Sequence, residues 1–354
     1  MIYVSKKVLI WLSNGPYPYM HYGIALSLSK LGDYEFYGIV DTKRDLEFFQ
    51  SQNEIKFNEI YLLSEFLKDN KSIQLEDLKK FEKEYNLNFW LLAYTERWFL
   101  EDRSIFHKFS SNEILSMMDS LTKFYLDILT KIKPSFIIMQ MAGEGFANFL
   151  LYTLSKALSI KTLMPVETRL LNSFVLSDDI LLSSIKKEFN YLKENSTEKF
   201  VEYGPEYIKE RDSMKSLEVY ISEEFGNATL FEKINRYTKR WFQNPEPIYY
   251  NKGKTKLKMI KWRFSSYFEV KKRKKFLEKN SLKKIQDKKF IYFPLPTRPE
   301  GSNLAWAPFH VNNISIIENI ARSLPPDFVL YVKEHPIQAK KNWRPIEFYK
   351  SVLA

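Results

Sequence analysis

The sequence predicts an α/β protein with two domains built on parallel sheets. Apolar or aromatic runs of strand length alternate with stretches of helical periodicity in three regions, residues 8–40, 136–166 and 289–336. Strand, helix and strand in that order form a βαβ unit, in which the two strands are parallel. A chain of 354 residues is also long enough for two domains with a sizeable core.

Composition narrows the chemistry that the chain can perform. Hydrophobic residues make up 45% and charged residues 27%, as in ordinary globular proteins, and the aromatic fraction of 16% is high. The chain contains no cysteine, which removes disulfides, thiolate catalysis and cysteine metal sites. No stretch reaches the length of a membrane span, and the N-terminal apolar run is too short for a signal peptide. We therefore expect a cytoplasmic protein.

Positive charge is concentrated in one segment. The whole chain has a net charge of +11, whereas residues 251–290 alone carry 14 Lys and 2 Arg against 2 Glu and 1 Asp, a net charge of +13. A local basic patch of this kind argues against nucleic acid as the partner. It lies next to a glycine-poor region, residues 181–285, which we interpret as a helical insertion or connection between the domains.

An apolar stripe runs through the basic segment. Its members lie at helical spacing, at Ile260, Phe264, Tyr267 and Phe268. One interpretation is docking on an anionic membrane surface through residues 251–290. The other is a solvated helix whose stripe packs on the domain.

The first domain is expected to cover residues 1–180. Apolar runs that end in polar or turn residues predict its strands, and helical periodicity predicts its helices. The predicted strands are 8–12, 34–40, 136–141 and 162–166, and the predicted helices are 21–31, 75–85, 114–132 and 146–158.

The loop that follows the predicted strand 136–141 can be interpreted as a dinucleotide-binding loop or as the site of a catalytic carboxylate. Gly143-x-Gly145 before a helix resembles a dinucleotide loop, but Asn148 stands where the third glycine belongs, so a nicotinamide site is not expected. Small residues around Glu144 would let a substrate approach, and a carboxylate at a helix N-terminus could take a proton from an attacking hydroxyl. Alternatively, Glu144 is an ordinary acidic residue of a first helical turn.

In the C-terminal region, a βαβ unit is predicted between residues 289 and 336. Its buried strands are 290–293 and 328–332, and its helix is 312–324. Two polar clusters follow the two strands, Arg298 to Asn303 and Lys333 to His335. Ligands of open parallel sheets bind beyond the carboxyl ends of the strands, so both clusters are candidates for a binding site.

His335 is the strongest single candidate in these clusters. Pro336 keeps the backbone of His335 extended at the strand end. The imidazole could then donate a hydrogen bond to a nucleotide, with Lys333 adding positive charge. The competing interpretation is an exposed histidine where a strand stops at proline.

This C-terminal pattern resembles bacterial capsule polysaccharide biosynthesis proteins, which are Kdo-transferase-like glycosyltransferases of the GT-B type. The resemblance rests on the Pro299-Glu300 loop, the helix ending in Ser323-Leu324-Pro325 and the strand closing on Lys333-Glu334-His335-Pro336. It is weaker, though the elements follow the same order, over residues 1–180. Relatives commonly have Gln before the Pro-Glu pair, whereas this chain has Arg298.

The resemblance implies a GT-B-like fold with two Rossmann-like domains. The N-terminal one (1–180) would bind the acceptor, residues 181–285 would form the insertion, and residues 286–354 would be a partial donor domain. Only one further helix, residues 344–353, is predicted after Pro336, whereas the family continues with more strands and a Gly- and Thr/Ser-rich loop. We therefore expect a truncated donor domain in which activity is weakened or lost.

The resemblance also implies a function and its residues. The protein would transfer a sugar from a nucleotide sugar, CMP-linked in relatives with the His-Pro pair, to an oligosaccharide or lipid-linked acceptor of a surface polysaccharide, without metal or cofactor. Alternatives are a sugar-nucleotide epimerase of the same fold and a catalytically degenerate assembly or membrane-docking protein. The candidate residues are Glu144 as the catalytic base, His335, Pro336, Lys333, Glu300 and Arg298 for the nucleotide, and His21, Glu167 and Arg169 on the acceptor side. The alternative for His21 is a structural role, which is common for a lone histidine in an early helix turn.

Overall fold

The computed structural model describes residues 5–13, 17–67, 75–99, 105–143, 145–168, 174–195, 252–297, 302–339 and 343–354. These residues fall into two compact units. The N-terminal unit holds the described residues up to Asn195 together with Lys252, and the C-terminal unit holds those from Gly253 to Ala354. Most of the predicted insertion, from residue 196 to 251, lies outside the described residues.

The N-terminal unit is built on one mostly parallel sheet. Its strands are β1 (Lys6–Trp11), β2 (Tyr34–Val40), β3 (Phe57–Leu62), β4 (Phe136–Ile138), β5 (Lys161–Glu167) and β6 (Phe174–Ser177). Their order across the sheet is β3-β2-β1-β4-β5-β6, with only β6 antiparallel to its neighbour. The chain winds outward from β1 to β3 and then resumes at β4 on the other side of β1, so the winding reverses between β1 and β4. The α/β class and a Rossmann-like order are confirmed for this unit.

Helices connect these strands. They are α1 (Tyr17–Ser29), α2 (Lys43–Gln50), α3 (Leu75–Tyr85), α4 (Phe89–Thr95), α5 (Ser111–Ile132), α6 (Phe146–Ala157) and α7 (Ser183–Asn195). Helix α1 begins four residues before the predicted start at His21, and β4 is three residues shorter than predicted. Strands β3 and β6 are not among the predicted ones, because the apolar alternation of their sequences is weak.

The core lies on both faces of the central strands. Every residue from Val8 to Leu12 is buried, as expected for a parallel strand covered by helices on both sides. Trp11, Tyr125 and Phe146, on β1, α5 and α6, are among its largest fully buried side chains. No described helix is long and apolar enough to cross a membrane.

The C-terminal unit contains the predicted βαβ arrangement. Its elements are α8 (Lys256–Asn280), β7 (Lys289–Pro294), α9 (Asn313–Arg322), β8 (Phe328–Lys333) and α10 (Ile346–Leu353). Strands β7 and β8 are parallel, in a register that runs from Lys289 opposite Phe328 to Pro294 opposite Lys333. The strand–helix–strand prediction is therefore confirmed.

The prediction that both of these strands are buried is wrong, because β7 is largely exposed and β8 is only half-buried. Phe290, Ile291 and Tyr292 are between 39% and 51% exposed. The sheet has two strands in the described part of this unit, so β7 has one strand neighbour and its side chains are incompletely covered. Helix α10 also starts at Ile346 instead of Arg344, because Pro345 keeps the preceding residue out of the helical region.

A capping box fixes the start of α5, the longest described helix of the N-terminal unit. The Ser110 hydroxyl accepts from the Glu113 backbone N–H, and the Glu113 carboxylate accepts from the Ser110 backbone N–H. Glu113 also contacts His107 Nε2 at 3.0 Å and Lys252 Nζ at 2.7 Å. Partial burial acts to raise the pKa of Glu113, but the hydrogen bonds from Lys252, Ser110 and His107 outweigh it and hold that pKa at about 2.

Glu113→Gln should lower the free energy of unfolding by about 1–2 kcal/mol at pH 7, because it weakens the cap and removes the charge. The contribution of the Glu113 carboxylate to the free energy of unfolding is fully present above the pKa of a glutamate in the unfolded chain, about 4.3. It is lost as the pH falls towards 2. Urea unfolding of both proteins between pH 7 and pH 3 measures it. Glu76→Gln, at an exposed carboxylate, is the control, and a gap that widens on acidification would contradict the assignment.

Candidate functional site

Polar side chains gather where the central strands of the N-terminal unit end. Ser13 follows β1, Asp41 follows β2 and Gln140 lies two residues beyond β4, and all three are buried. The carboxyl ends of parallel neighbours lie at one edge of a sheet, and the winding reverses here between β1 and β4. In a Rossmann-like sheet this is the position at which ligands bind.

Asp41 is a buried carboxyl at this edge. Burial and repulsion from the charge of Asp45 together raise the pKa of Asp41 to about 7, and burial is the larger of these two causes. The nearby Ser13 hydroxyl acts in the opposite direction. Asp41 therefore exchanges its proton near neutral pH, which an exposed aspartate does not do.

Glu96, which directly follows α4, is the second buried carboxyl. Its two oxygens accept from the backbone N–H groups of Phe146 and Trp98, each at 3.3 Å. Burial raises the pKa of Glu96 to about 7, although both N–H donors and the charge of Arg97 oppose the shift; the charge of Asp41 adds to it. The two carboxyls are thus close enough to influence each other.

Gly145 packs closely against Glu96. A Cβ atom at position 145 would lie 3.0 Å from Glu96 Oε2, which is closer than side-chain contacts normally allow. Gly145 also immediately precedes α6, so Glu96 sits against the N-terminal end of that helix. The loop after β4 and the residue after α4 therefore hold each other in place.

Asn148 closes the same loop. Its Oδ1 accepts from the Gly143 N–H and its Nδ2 donates to the Met141 carbonyl, both at 3.3 Å. Gly143 has φ 111, a conformation that side chains rarely adopt. An asparagine in place of the third glycine thus stabilises the loop from within. Glu144 itself lies outside the described residues, but Gly143 and Gly145 on either side of it lie beyond the end of β4.

Several buried polar atoms near this edge have no hydrogen-bond partner within the described part of the chain. They are His21 Nε2, Tyr125 OH and Gln140 Oε1. The charge of Asp41 contributes to raising the pKa of Tyr125, after burial, which places that ring near the carboxyl. Buried polar groups normally find a partner, so such atoms are typical of a position that receives a ligand.

His21 is anchored to the central strand. Its Nδ1 donates to the Trp11 carbonyl at 2.7 Å, so the unpartnered Nε2 is a hydrogen-bond acceptor. Burial lowers the pKa of His21 to about 4, although the Trp11 hydrogen bond acts in the opposite direction. The imidazole is therefore neutral at physiological pH.

A second acceptor-side candidate lies farther along the sheet. Glu167 is the exposed last residue of β5, opposite Phe174 of β6. It is at the carboxyl end of the strand next to β4, on the same edge as the buried carboxyls. Arg169 lies outside the described residues.

At the carboxyl end of β8 in the C-terminal unit, Glu334 is the centre of a hydrogen-bond network. It accepts from Arg344 Nε, from the Tyr349 hydroxyl and from the His335 N–H, each at 2.8 Å. Arg344 is buried and also donates to the Pro296 carbonyl. The network therefore joins the segment after β7 to the segment after β8.

The side chain of His335 is half-buried beside this network. Its Nδ1 accepts from the Ile337 N–H at 3.2 Å, so in the neutral ring the proton lies on Nε2, which is a donor. Lys333 is exposed, and Pro336 starts a short 3₁₀ helix, Pro336–Ala339. Leu295 N–H donates to the Lys333 carbonyl at 2.8 Å, so the segment that leads to Arg298 runs beside Lys333. Arg298 and Glu300 lie outside the described residues.

Comparison with protein-family models, with curated proteins and with solved structures finds no match for this chain. In the described ranges, no group of three or more His, Asp or Glu side chains is placed to hold a metal ion. The fold and its polar edge define a Rossmann-like α/β protein.

Two important carboxyls, Asp41 and Glu96, are absent from the sequence-based candidates, and Glu334 is present only as a member of the Lys333–His335 cluster. The sequence could have indicated Asp41 as a candidate, since Asp41 directly follows an apolar run of strand length. Glu96 is the only acidic residue in the aromatic run 88–99, which is a weaker signal of a buried carboxyl. Glu334 lies within the recognised Lys-Glu-His-Pro motif, but its partners Arg344 and Tyr349 are ten and fifteen residues away, which sequence spacing does not reveal.

The buried carboxyls should make stability fall with rising pH. Their folded pKa of about 7 lies above the unfolded values, so the neutral forms stabilise the fold fully below pH 4 or so, and this contribution is lost as pH rises through about 7. Asp41→Asn and Glu96→Gln should each remove roughly 2–4 kcal/mol of this pH dependence.

Urea unfolding at intervals from pH 5 to pH 8 measures the effect. Glu76→Gln, in which an exposed carboxylate is replaced, is the matched control and should keep the wild-type slope. If Asp41→Asn and Glu96→Gln also keep the wild-type slope, the two groups are not held neutral by burial.

Proposed function

We propose that the protein is a GT-B-type glycosyltransferase that transfers a sugar from a nucleotide sugar to the acceptor of a growing surface polysaccharide. The observation that carries the proposal is the pair of buried carboxyls, Asp41 and Glu96, next to the loop of Glu144 where the winding of the sheet reverses. Carboxyls that titrate near neutral pH at a ligand-binding edge suit proton transfer from a hydroxyl.

The N-terminal unit would hold the acceptor, an oligosaccharide or a lipid-linked sugar. We assign proton acceptance to Glu144, since a carboxylate next to a helix N-terminus could take a proton from an attacking hydroxyl. Glu96 is a positioning residue, because it contacts Gly145 and binds the Phe146 N–H on the same loop. Asp41, the unpartnered His21 Nε2 and Glu167 can receive other hydroxyls of the acceptor, with Arg169 beyond the end of β5.

In the transfer, the acceptor oxygen forms a bond to the anomeric carbon of the donor. The bond from that carbon to the nucleotide phosphate breaks, and its electron pair leaves with the phosphate. The proton of the acceptor hydroxyl passes to the carboxylate. The carboxylate accepts the proton and the phosphate accepts the electron pair, so the proposed step needs no metal ion or cofactor.

The C-terminal unit would hold the sugar-nucleotide donor. The resemblance to transferases with the His-Pro pair favours a CMP-linked sugar as that donor. The Nε2–H of His335 can donate a hydrogen bond to a ribose hydroxyl, and Lys333 supplies positive charge for a phosphate. Pro336 keeps the imidazole at the strand end, and Arg298 and Glu300 belong to the neighbouring loop. The reaction would take place in the cytoplasm, at the inner face of the membrane.

Carboxyl substitutions test the acceptor side in a transfer assay with a panel of sugar nucleotides. Glu144→Gln should lower kcat roughly 10²- to 10⁴-fold, the usual contribution of a general base. Glu96→Gln should give a smaller loss, since it disturbs the loop without removing the base, and should shift the acidic limb of the pH–rate profile, which reports ionisation of the base. Glu76→Gln is the control for charge alone.

Wild-type activity in Glu144→Gln, Glu96→Gln and Asp41→Asn together would remove the assignment of this site. Conversion of the donor to another sugar nucleotide with no acceptor present would identify an epimerase. Failure of every donor to bind or react would favour a catalytically degenerate assembly protein.

A histidine substitution tests the donor side. His335→Ala should raise the KM for the donor roughly 10- to 100-fold, the cost of one hydrogen bond to a charged group, with a smaller change in kcat. His310→Ala, at an exposed histidine in the same unit, is the matched control and should leave the KM unchanged. Equal KM values in the two variants would exclude His335 from donor binding.

A further inference from the structure

Helix α8 is apolar on two opposite sides. One side consists of half-buried positions at helical spacing, Trp262, Ser266, Val270, Arg273 and Leu277. Arg273 Nη1 donates to the Trp343 carbonyl at 3.2 Å. This side therefore faces the unit to which the helix belongs.

The opposite side is apolar and exposed to solvent. Its members, which we call the aromatic face, are Leu257, Ile260, Phe264, Tyr267 and Phe268, with 81%, 45%, 68%, 55% and 65% exposure. Single exposed apolar side chains are common, but five on one side of a helix, over about 16 Å, form a continuous patch. The interpretation of this stripe as one that packs on the domain finds no support among the described residues, which leave the stripe exposed.

The aromatic face is bordered by positive charge. Residues 256–280 carry 8 Lys and 2 Arg against 2 Glu. Lys271 and Lys275 continue the same side of the helix towards its C-terminus, and Lys271 Nζ lies 4.5 Å from the centre of the Tyr267 ring. An apolar strip therefore runs into a cationic one along a single helix.

We propose that the aromatic face of α8 docks on an anionic lipid membrane. Its rings and aliphatic side chains would enter the boundary between headgroups and acyl chains, with the helix lying in the plane of the surface. Lys271 and Lys275 would contact lipid phosphates through their ammonium groups. This inference rests on α8 alone and stands even if the protein transfers no sugar.

Charge and shape favour a membrane over other partners. A second copy of the same face would bring two strongly cationic helices together, which is unfavourable. A nucleic acid would satisfy the cations but would leave the aliphatic side chains of Leu257 and Ile260 without an apolar partner. A membrane with anionic lipids supplies both an apolar layer and negative charge.

Vesicle co-sedimentation with the whole purified protein tests the proposal. It should bind vesicles of phosphatidylcholine with about one-third phosphatidylglycerol and should bind pure phosphatidylcholine much more weakly. The double substitution Phe264→Ser with Phe268→Ser should lower the partition coefficient about tenfold or more. Lys271→Gln with Lys275→Gln should lower it about fivefold per lysine.

The matched control is Lys186→Gln with Lys187→Gln, which removes the same charge from exposed positions of α7. It should bind almost as the wild type does. All four aromatic and lysine positions are exposed, so their variants should keep the wild-type thermal midpoint, and circular dichroism checks this.

Three results would overturn the proposal. One is vesicle binding that is insensitive to Phe264→Ser with Phe268→Ser. A second is a salt-sensitive shift with duplex DNA together with absent vesicle binding, which would make nucleic acid the partner. The third is self-association in solution that the phenylalanine substitutions abolish, which would make a second copy the partner.

Discussion

The chemistry of the N-terminal unit depends on one constraint, the common edge at which its parallel strands end. Strand β1 lies at the centre of the sheet and the winding reverses beside it, so the residues after β1, β2 and β4 meet although they are far apart in sequence. Burying carboxyls there costs free energy, because an ionised group loses its hydration. The backbone N–H groups on Glu96 and the missing side chain of Gly145 make the arrangement sterically and electrostatically tolerable.

Both units use a carboxyl to join two segments, but with different electrostatics. Glu334 is neutralised by the buried guanidinium of Arg344 at 2.8 Å, and breaking such a pair is costly, so it acts as a fixed structural group. At Glu96, burial outweighs the nearby charge of Arg97, and its proton remains exchangeable near neutral pH. The same residue type thus holds the C-terminal unit together and gives the N-terminal unit groups that can move a proton.

Periodicity predicted the elements whose own sequence determines them. Strands β1, β2 and β5 and the β7–α9–β8 arrangement were predicted close to their observed bounds. Burial of β7 was predicted wrongly, because coverage depends on neighbours elsewhere in the chain. The edge where the polar groups of the N-terminal unit lie follows from strand order, whereas the pairing of Glu96 with the loop before α6 spans fifty residues and has no local signal. Among the candidate residues, Glu144, Arg169, Arg298 and Glu300 lie outside the described part of the chain, so for them the sequence remains the only basis.

The contact between Glu96 and the start of α6 also makes local order depend on proton occupancy. An ionised carboxylate accepts stronger hydrogen bonds from backbone N–H groups than a neutral carboxyl does. Loss of the Glu96 proton therefore strengthens the hydrogen bonds from the Phe146 and Trp98 N–H groups, and its return weakens them. A change of pH around neutrality would in this way alter how firmly the start of α6 is held, without any rearrangement of the sheet that carries it.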